Sequence, residues 1–233
     1  MKYSQRIQEL PPDERPYEKC LSTGPENLTD SELLAVILRS GTRGRSSVQL
    51  ADQILHLGRK EQGLLGIYHL SMEDLMQIRG IGQVKAVQIK CIGELSKRIA
   101  TREARKLLDF HSPDTIAAYY MERMRHEEQE QMICTMLNTK NQFLGDEVIS
   151  RGTVNSSLVS PRDLILAAFR HRAVYMILVH NHPSGNDRPS SHDITLTKKV
   201  QEAGRVLDIT LLDHIVVCPN RYYSCLLYTS PSP

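Results

Sequence analysis

The sequence predicts an α/β (α+β) domain, a mixed sheet with flanking helices, preceded by a small all-helical domain. Three observations carry this. The first hundred residues show the apolar spacing and start signals of helices. From about residue 112, short β-like runs alternate with helical patterns. Between them lies Lys97 to Lys106 (KRIATREARK), five basic residues against one acid, which reads as an exposed helix end or linker. The expected domains are therefore 1–103 and 104–225.

In the first half, Thr29-Asp30-Ser31-Glu32 is a capping-box pattern followed by the apolar run LLAVIL. Ser71-Met72-Glu73-Asp74 opens a second helix in the same way. A third is expected from about Gln83 to Ala100, with Val84, Val87, Ile92, Leu95 and Ile99 near helical spacing. In the second half, Ser112-Pro113-Asp114 starts a helix with Ser as cap and Pro in the first turn. Strands are expected at Gln131 to Asn138 and Gln142 to Ile149, joined by a turn at Thr139-Lys140. Ser160 caps a helix through about Arg170. Ala173 to Val179 (AVYMILV) reads as a buried central strand. A helix from about Ser191 to Val206 and a strand from Ile209 to Val217 follow. Residues 226–233 (LLYTSPSP) have no amphipathic pattern and read as a non-native or disordered tail.

Composition narrows the function classes. No stretch approaches the roughly 18 apolar residues that span a membrane, and the N-terminus lacks the apolar core of a signal peptide. A cytoplasmic protein is expected. Five scattered cysteines (Cys20, Cys91, Cys134, Cys218, Cys225) with no CxxC pair fit reduced thiols, not a disulfide frame or a thiolate zinc site. Residues 1–106 hold 17 Lys/Arg against 13 Asp/Glu, whereas residues 107–233 hold 12 against 14. That excess suits contact with a polyanion without establishing it.

Residues 180–193 read HNHPSGNDRPSSHD. Side chains at i and i+2 of a strand share a face, so His180 and His182 can face one ion. Gly185 and Pro189 punctuate a loop that can return Asp193, on the first turn of the next helix, to the same point. Two imidazoles and one carboxylate make a zinc site with a fourth position open, as catalytic zinc requires. Asp187 and His192 are nearby alternative ligands, although His192, beside Asp193 on the helix, should point elsewhere. Ser190 to Asp193 also reads simply as a helix cap.

The spacing H-x-H-P, with seven residues between the second His and a Ser, then two residues and an Asp, matches the JAMM motif of JAB/MPN domains, here His180, His182, Ser190 and Asp193. With TKN at 139–141, RGTVNSS at 151–157, HNHPSG at 180–185 and LLDH at 211–214, the chain resembles the bacterial RadC family up to about Ser224. The resemblance implies a JAB/MPN-like sheet and a Zn2+ held by His180, His182 and Asp193. It also implies Ser190 as an oxyanion donor and a glutamate near the first strand as general base, to be chosen from Glu127, Glu128 and Glu130. Glu130 is nearest the strand. The implied activity is zinc-dependent peptide or isopeptide hydrolysis on an unknown peptide or protein substrate. The rival is a non-catalytic DNA-binding, DNA-repair-associated protein with a structural metal site. A nuclease is a third option, but the string HNH here is coincidental, because the nuclease of that name draws its residues from separated elements.

Leu75-x-x-Ile78-x-Gly80-Ile81-Gly82-x-x-x-Ala86 fits the helix-hairpin-helix pattern, centred on residues 71–98. Glycines permit a turn with positive φ and close backbone approach, and amides opening the next helix can hold a phosphate oxygen. Gly80, Ile81, Gly82 and Lys85 are the expected DNA-backbone contacts, with Arg79, Lys90 and Lys97 adding charge. The bland reading is a tight turn that packs two helices.

Overall fold

Helix starts are written locally in this chain, and the structure, a computed structural model, describes residues 11–58, 61–152 and 159–226. Within the string at 151–157, residues 153–157 lie outside the described residues, as do residues 227–233 of the expected tail. The chain forms two compact units, residues 1–98 and 99–233, and the boundary falls inside one continuous helix.

The first unit is helical: α1 (Pro16–Thr23), α2 (Asp30–Leu38), α3 (Ser47–Leu55), α4 (Gly66–His69), α5 (Met72–Met76) and the start of α6 (Gln83–Lys106). Thr29, Ser46 and Ser71 each form a complete capping box, hydroxyl to the third amide and third side chain back to the cap amide. Leu34, Leu38, Leu50, Ile54, Leu75 and Ile89 fill the core, each buried aliphatic side chain contributing about 1.5–3 kcal/mol. The α6 face differs from expectation. Val84 and Val87 are 73% and 44% exposed, while Ala86, Ile89 and Gly93 turn inward. Both sets recur at helical spacing, and the smaller one wins because it lets the helix come close. A Cβ on Gly93 would stand in ordinary van der Waals contact, 3.7 Å from Ile67 and Tyr68 side-chain atoms.

The second unit contains α7 (Pro113–Met124), β1 (Gln131–Leu137), β2 (Phe143–Arg151), α8 (Pro161–Arg170), β3 (Tyr175–Asn181), α9 (Ser191–Val206), β4 (Thr210–Cys218) and β5 (Arg221–Ser224). The sheet order is β2-β1-β3-β4-β5. Only β3 and β4 are parallel, with α9 crossing between them. Side-chain alternation sorts β1 and β3 into two faces. Ile133, Leu137, Ile177 and Val179 pack against α7 through Ile116 and Tyr120. Cys134, Met136, Met176 and Leu178 pack against α8 and α9 through Leu164, Leu196 and Val200. Asn138 builds the β1–β2 turn, its Oδ1 accepting from the amides of Lys140 (2.8 Å) and Gln142 (3.0 Å). Ser112 stands at the start of α7 but makes no side-chain cap bond. Leu226, which sequence assigned to the tail, belongs to the fold. It packs on the core and its amide donates to buried Asp213 at 3.2 Å. Among the described residues no helix is long and apolar enough to cross a membrane.

Candidate metal centre

β3 ends in His180 and Asn181, so consecutive side chains leave the sheet on opposite faces. His180 turns to the α9 face. Asn181 turns away and fastens the entry to β1, accepting from Gln131 N at 2.8 Å and donating to Gln129 O at 3.1 Å. His182 N donates to Val217 O at 2.9 Å, which keeps His182 in line beyond the strand. Next the chain turns through Gly185, with φ +80°. His182 Nδ1 is 2.7 Å from Asn186 O. A carbonyl only accepts, so Nδ1 carries the hydrogen and Nε2 presents a lone pair.

Ser190 begins α9 with a capping box whose third residue is Asp193. Ser190 N and Oγ donate to Asp193 Oδ2 at 2.7 and 2.6 Å, while Oδ1 lies 3.5 Å from His180 Nε2. The cap and the candidate ligand are therefore the same carboxylate, with one oxygen for each task. His180 Nε2 and His182 Nε2 are 3.0 Å apart, and His182 Nε2 is 3.8 Å from Asp193 Oδ2. All three side chains are buried. Among the described residues this is the group of His, Cys, Asp and Glu side chains able to share one ion, and it has three members. Asp187 and His192 are outside it. Burial opposes ionisation of Asp193, but the His180 ring in its protonated form, joined by the Ser190 bonds, outweighs it and holds the carboxyl below the usual carboxylate range.

A second layer was missed in sequence. His214 on β4 is fully buried, its Nε2 2.8 Å from His180 Nδ1 and its Nδ1 2.7 Å from Thr197 Oγ1. Burial, then the neighbouring His180, pushes His214 well below the usual histidine range, which favours its neutral form. The LLDH string contained this residue but gave it no role.

The three glutamates separate. Glu127 accepts from Gln131 Nε2 at 2.6 Å, and Glu128 is exposed. Met132 pairs with His180 in the β1–β3 ladder, and Gln131 N donates to the Asn181 side chain. Glu130 immediately precedes β1, is half-buried, and its carbonyl accepts from Gly152 N at 2.9 Å.

In the helical unit, Gly80 has φ +103°, and a Cβ there would come within 2.6 Å of Thr42 Cβ. Gly82 faces open space. Ile81 is a core side chain, so only its backbone can meet a ligand. Lys85 Nζ donates to Ser40 O at 2.5 Å and Gly41 O at 3.4 Å. Lys90 Nζ similarly donates to Leu70 O at 2.8 Å. Both lysines tie the carbonyls of neighbouring turns.

Residues 110–227 match the family described as RadC-like JAB domain, and residues 7–87 match the UPF0758 N-terminal family. The chain belongs to the RadC family. It is 43% identical to a UPF0758 protein of Desulforamulus reducens over 219 residues, covering 94% of this chain and 95% of the relative. It is 42% identical to one of Alkaliphilus metalliredigens over 222 residues, 95% of each, and 41% identical to one of Geobacillus kaustophilus over 218 residues, 94% of this chain and 95% of the relative. The five-stranded mixed sheet with its flanking helices is the JAB/MPN fold. The RadC-like match spans His180, His182, Ser190, Asp193 and Glu130 together, and the N-terminal match reaches into the start of α6, past Gly80 and Gly82.

Proposed function

We propose that this RadC-family protein is a metal-dependent hydrolase acting on peptide or isopeptide bonds, with Zn2+ held by His180, His182 and Asp193. One observation carries the reading: three buried ligand atoms converge on one point, and the His182 lone pair there has only another histidine nitrogen and a carboxylate to face. Such a juxtaposition asks for a cation. Tetrahedral zinc with Zn–N of about 2.0–2.1 Å sets ligand atoms about 3.3 Å apart; the two Nε2 atoms are 3.0 Å apart, and His180 Nε2 is 3.5 Å from Asp193 Oδ1. The donor set, two imidazoles and one carboxylate, suits zinc with a position left open. Zinc there would supply a Lewis acid that brings the pKa of a water to about 7 and polarises a carbonyl.

The chain's own residues do the rest. Glu130, two residues before Met132, which pairs with His180, takes the proton of the attacking water and delivers it to the leaving nitrogen. The two hydrogen bonds from Ser190 N and Oγ favour the charged form of Asp193. Ser190 carries two duties: its hydroxyl holds Asp193 Oδ2, and rotation about its side chain directs the same donor to a developing oxyanion. The structural-zinc alternative needs a fourth protein ligand, and the group has three members among the described residues.

The test is metal content of the full chain after zinc loading and desalting. Wild type should retain one zinc per chain and His182→Ala none. No tightly held zinc in the wild type sinks the hydrolase reading.

The helix-hairpin-helix supports a second, separate reading, sequence-independent DNA binding through backbone amides. The open space around Gly82 favours it, since a phosphate oxygen can approach an amide that no side chain shields.

A further inference from the structure

We propose that Thr197 and His214 are positioning residues that lock His180 in the tautomer presenting its Nε2 lone pair toward His182 and Asp193. Thr197 Oγ1 is 2.6 Å from Asp193 O and 2.7 Å from His214 Nδ1. A carbonyl oxygen cannot donate, and two oxygens that close need a hydrogen between them, so the hydroxyl donates to the carbonyl. Thr197 then offers His214 a lone pair, and His214 Nδ1 must be the N–H. A neutral imidazole has one N–H, so His214 Nε2 accepts. Its neighbour at 2.8 Å, His180 Nδ1, must therefore donate. His180 Nε2 is left with the lone pair, 3.0 Å from that of His182.

The wiring has one direction, and it starts from a group that cannot reverse. Asp193 contributes at both ends, its carbonyl fixing the first hydrogen bond and its carboxylate meeting the last histidine. Thr197, His214 and His180 are all buried, so water does not compete for these hydrogens. A metal-bound histidine usually passes its second N–H to a carboxylate or carbonyl. A carboxylate in the place of His214 would carry an unpaired charge into the core; a neutral imidazole accepts without that cost. Without the Thr197 hydroxyl, His214 is free to move its hydrogen to Nε2. That pushes the His180 hydrogen onto its own Nε2, where a ligand lone pair is required.

This inference rests on the proposed metal site for its purpose, but the tautomer itself can be read without metal. The experiment compares wild type, Thr197→Val (shape kept, hydroxyl removed) and Thr197→Ser (hydroxyl kept) as full chains. Long-range 1H–15N correlation of zinc-free protein in mildly alkaline buffer should show His180 with Nδ1–H in wild type and Thr197→Ser, and with Nε2–H in Thr197→Val. Chelator competition should show zinc held about 10–100-fold more weakly by Thr197→Val, with Thr197→Ser close to wild type. Wild-type tautomers and affinity in Thr197→Val overturn the inference while leaving the metal site standing. A Thr197→Ser as weak as Thr197→Val also overturns it, since packing and not the hydroxyl would then be responsible. Wild-type tautomers as expected, without zinc binding, would support the wiring and remove the hydrolase reading instead. If Thr197→Val does not fold, His214→Gln, which keeps an acceptor for His180, is set against His214→Leu, which has none. The inference requires tighter zinc binding in His214→Gln, and equal affinities would overturn it.

Discussion

The hairpin of the helical unit and the end of β3 both gather polar side chains around glycines, yet the two regions treat those side chains in opposite ways. At the hairpin, Lys85 and Lys90 have found partners, the carbonyls that end neighbouring turns. What stays open there is backbone, around Gly82. At the end of β3 the backbone is tied by His182 N to Val217 O. What stays open is a set of side-chain atoms, two imidazole nitrogens and a carboxylate oxygen, that face mainly one another. A charged residue near a motif is therefore weak evidence of function until its polar atoms are accounted for. A lysine that completes a turn has a local partner, whereas buried acceptors brought together are a group that could hold a metal ion.

The largest expected effect lies at the metal centre. Glu130→Gln should retain zinc and fold while peptidase or isopeptidase turnover falls by about 10²–10⁴-fold, the usual contribution of a general base. Ser190→Ala should lose less, about 10²–10³-fold at most, the range for one oxyanion donor, with metal retained. Turnover with a good substrate unchanged in Glu130→Gln would return the search to Glu127 and Glu128.

The glycines of the hairpin give the next effect, and they separate fold from contact. Gly80→Val places a Cβ against Thr42 at positive φ, so thermal unfolding should shift down by an amount equal to about 2 kcal/mol or more. Gly82→Val meets nothing and should leave the midpoint nearly unchanged. If amides there hold phosphates, the same variant should lose DNA affinity, measured by anisotropy as salt is raised, where the slope is about −0.9 per phosphate neutralised. Equal affinity in folded Gly82→Val removes the hairpin as the contact.

The smallest effect is chemical. Burial pushes the thiols of Cys134 and Cys225 up to about 12. Their thiolate fraction near neutral pH is negligible, and thiolate is the reactive form. Cys91 is exposed and Cys20 half-buried. Titration with an aromatic disulfide should therefore modify Cys91 first and Cys20 more slowly, with Cys134 and Cys225 reacting only on unfolding. Fast reaction of Cys225 in the native state would mean that the end of β5 is less tightly closed beside the centre than its burial implies.

The sequence by itself determined what is local. Capping boxes at Thr29 and Ser71, the turn after β1, the helix from Ser191 and the strand leading to His180 rest on hydrogen bonds and periodicities within a few residues, so each could be read in place. The candidate ligands were legible for the same reason, since His180 and His182 share a strand parity and a short loop returns Asp193. Tertiary structure decided everything that depends on a partner distant in the chain. It chose the Ala86, Ile89 and Gly93 face of α6 over the Val84 and Val87 face, because close packing favours small side chains and spacing alone cannot distinguish two stripes on one helix. It gave Lys85 to the carbonyls of Ser40 and Gly41, 44 or more positions away. It also brought His214 to His180 across 34 residues, because β4 lies parallel beside β3, a neighbour relation that no periodicity within either strand encodes.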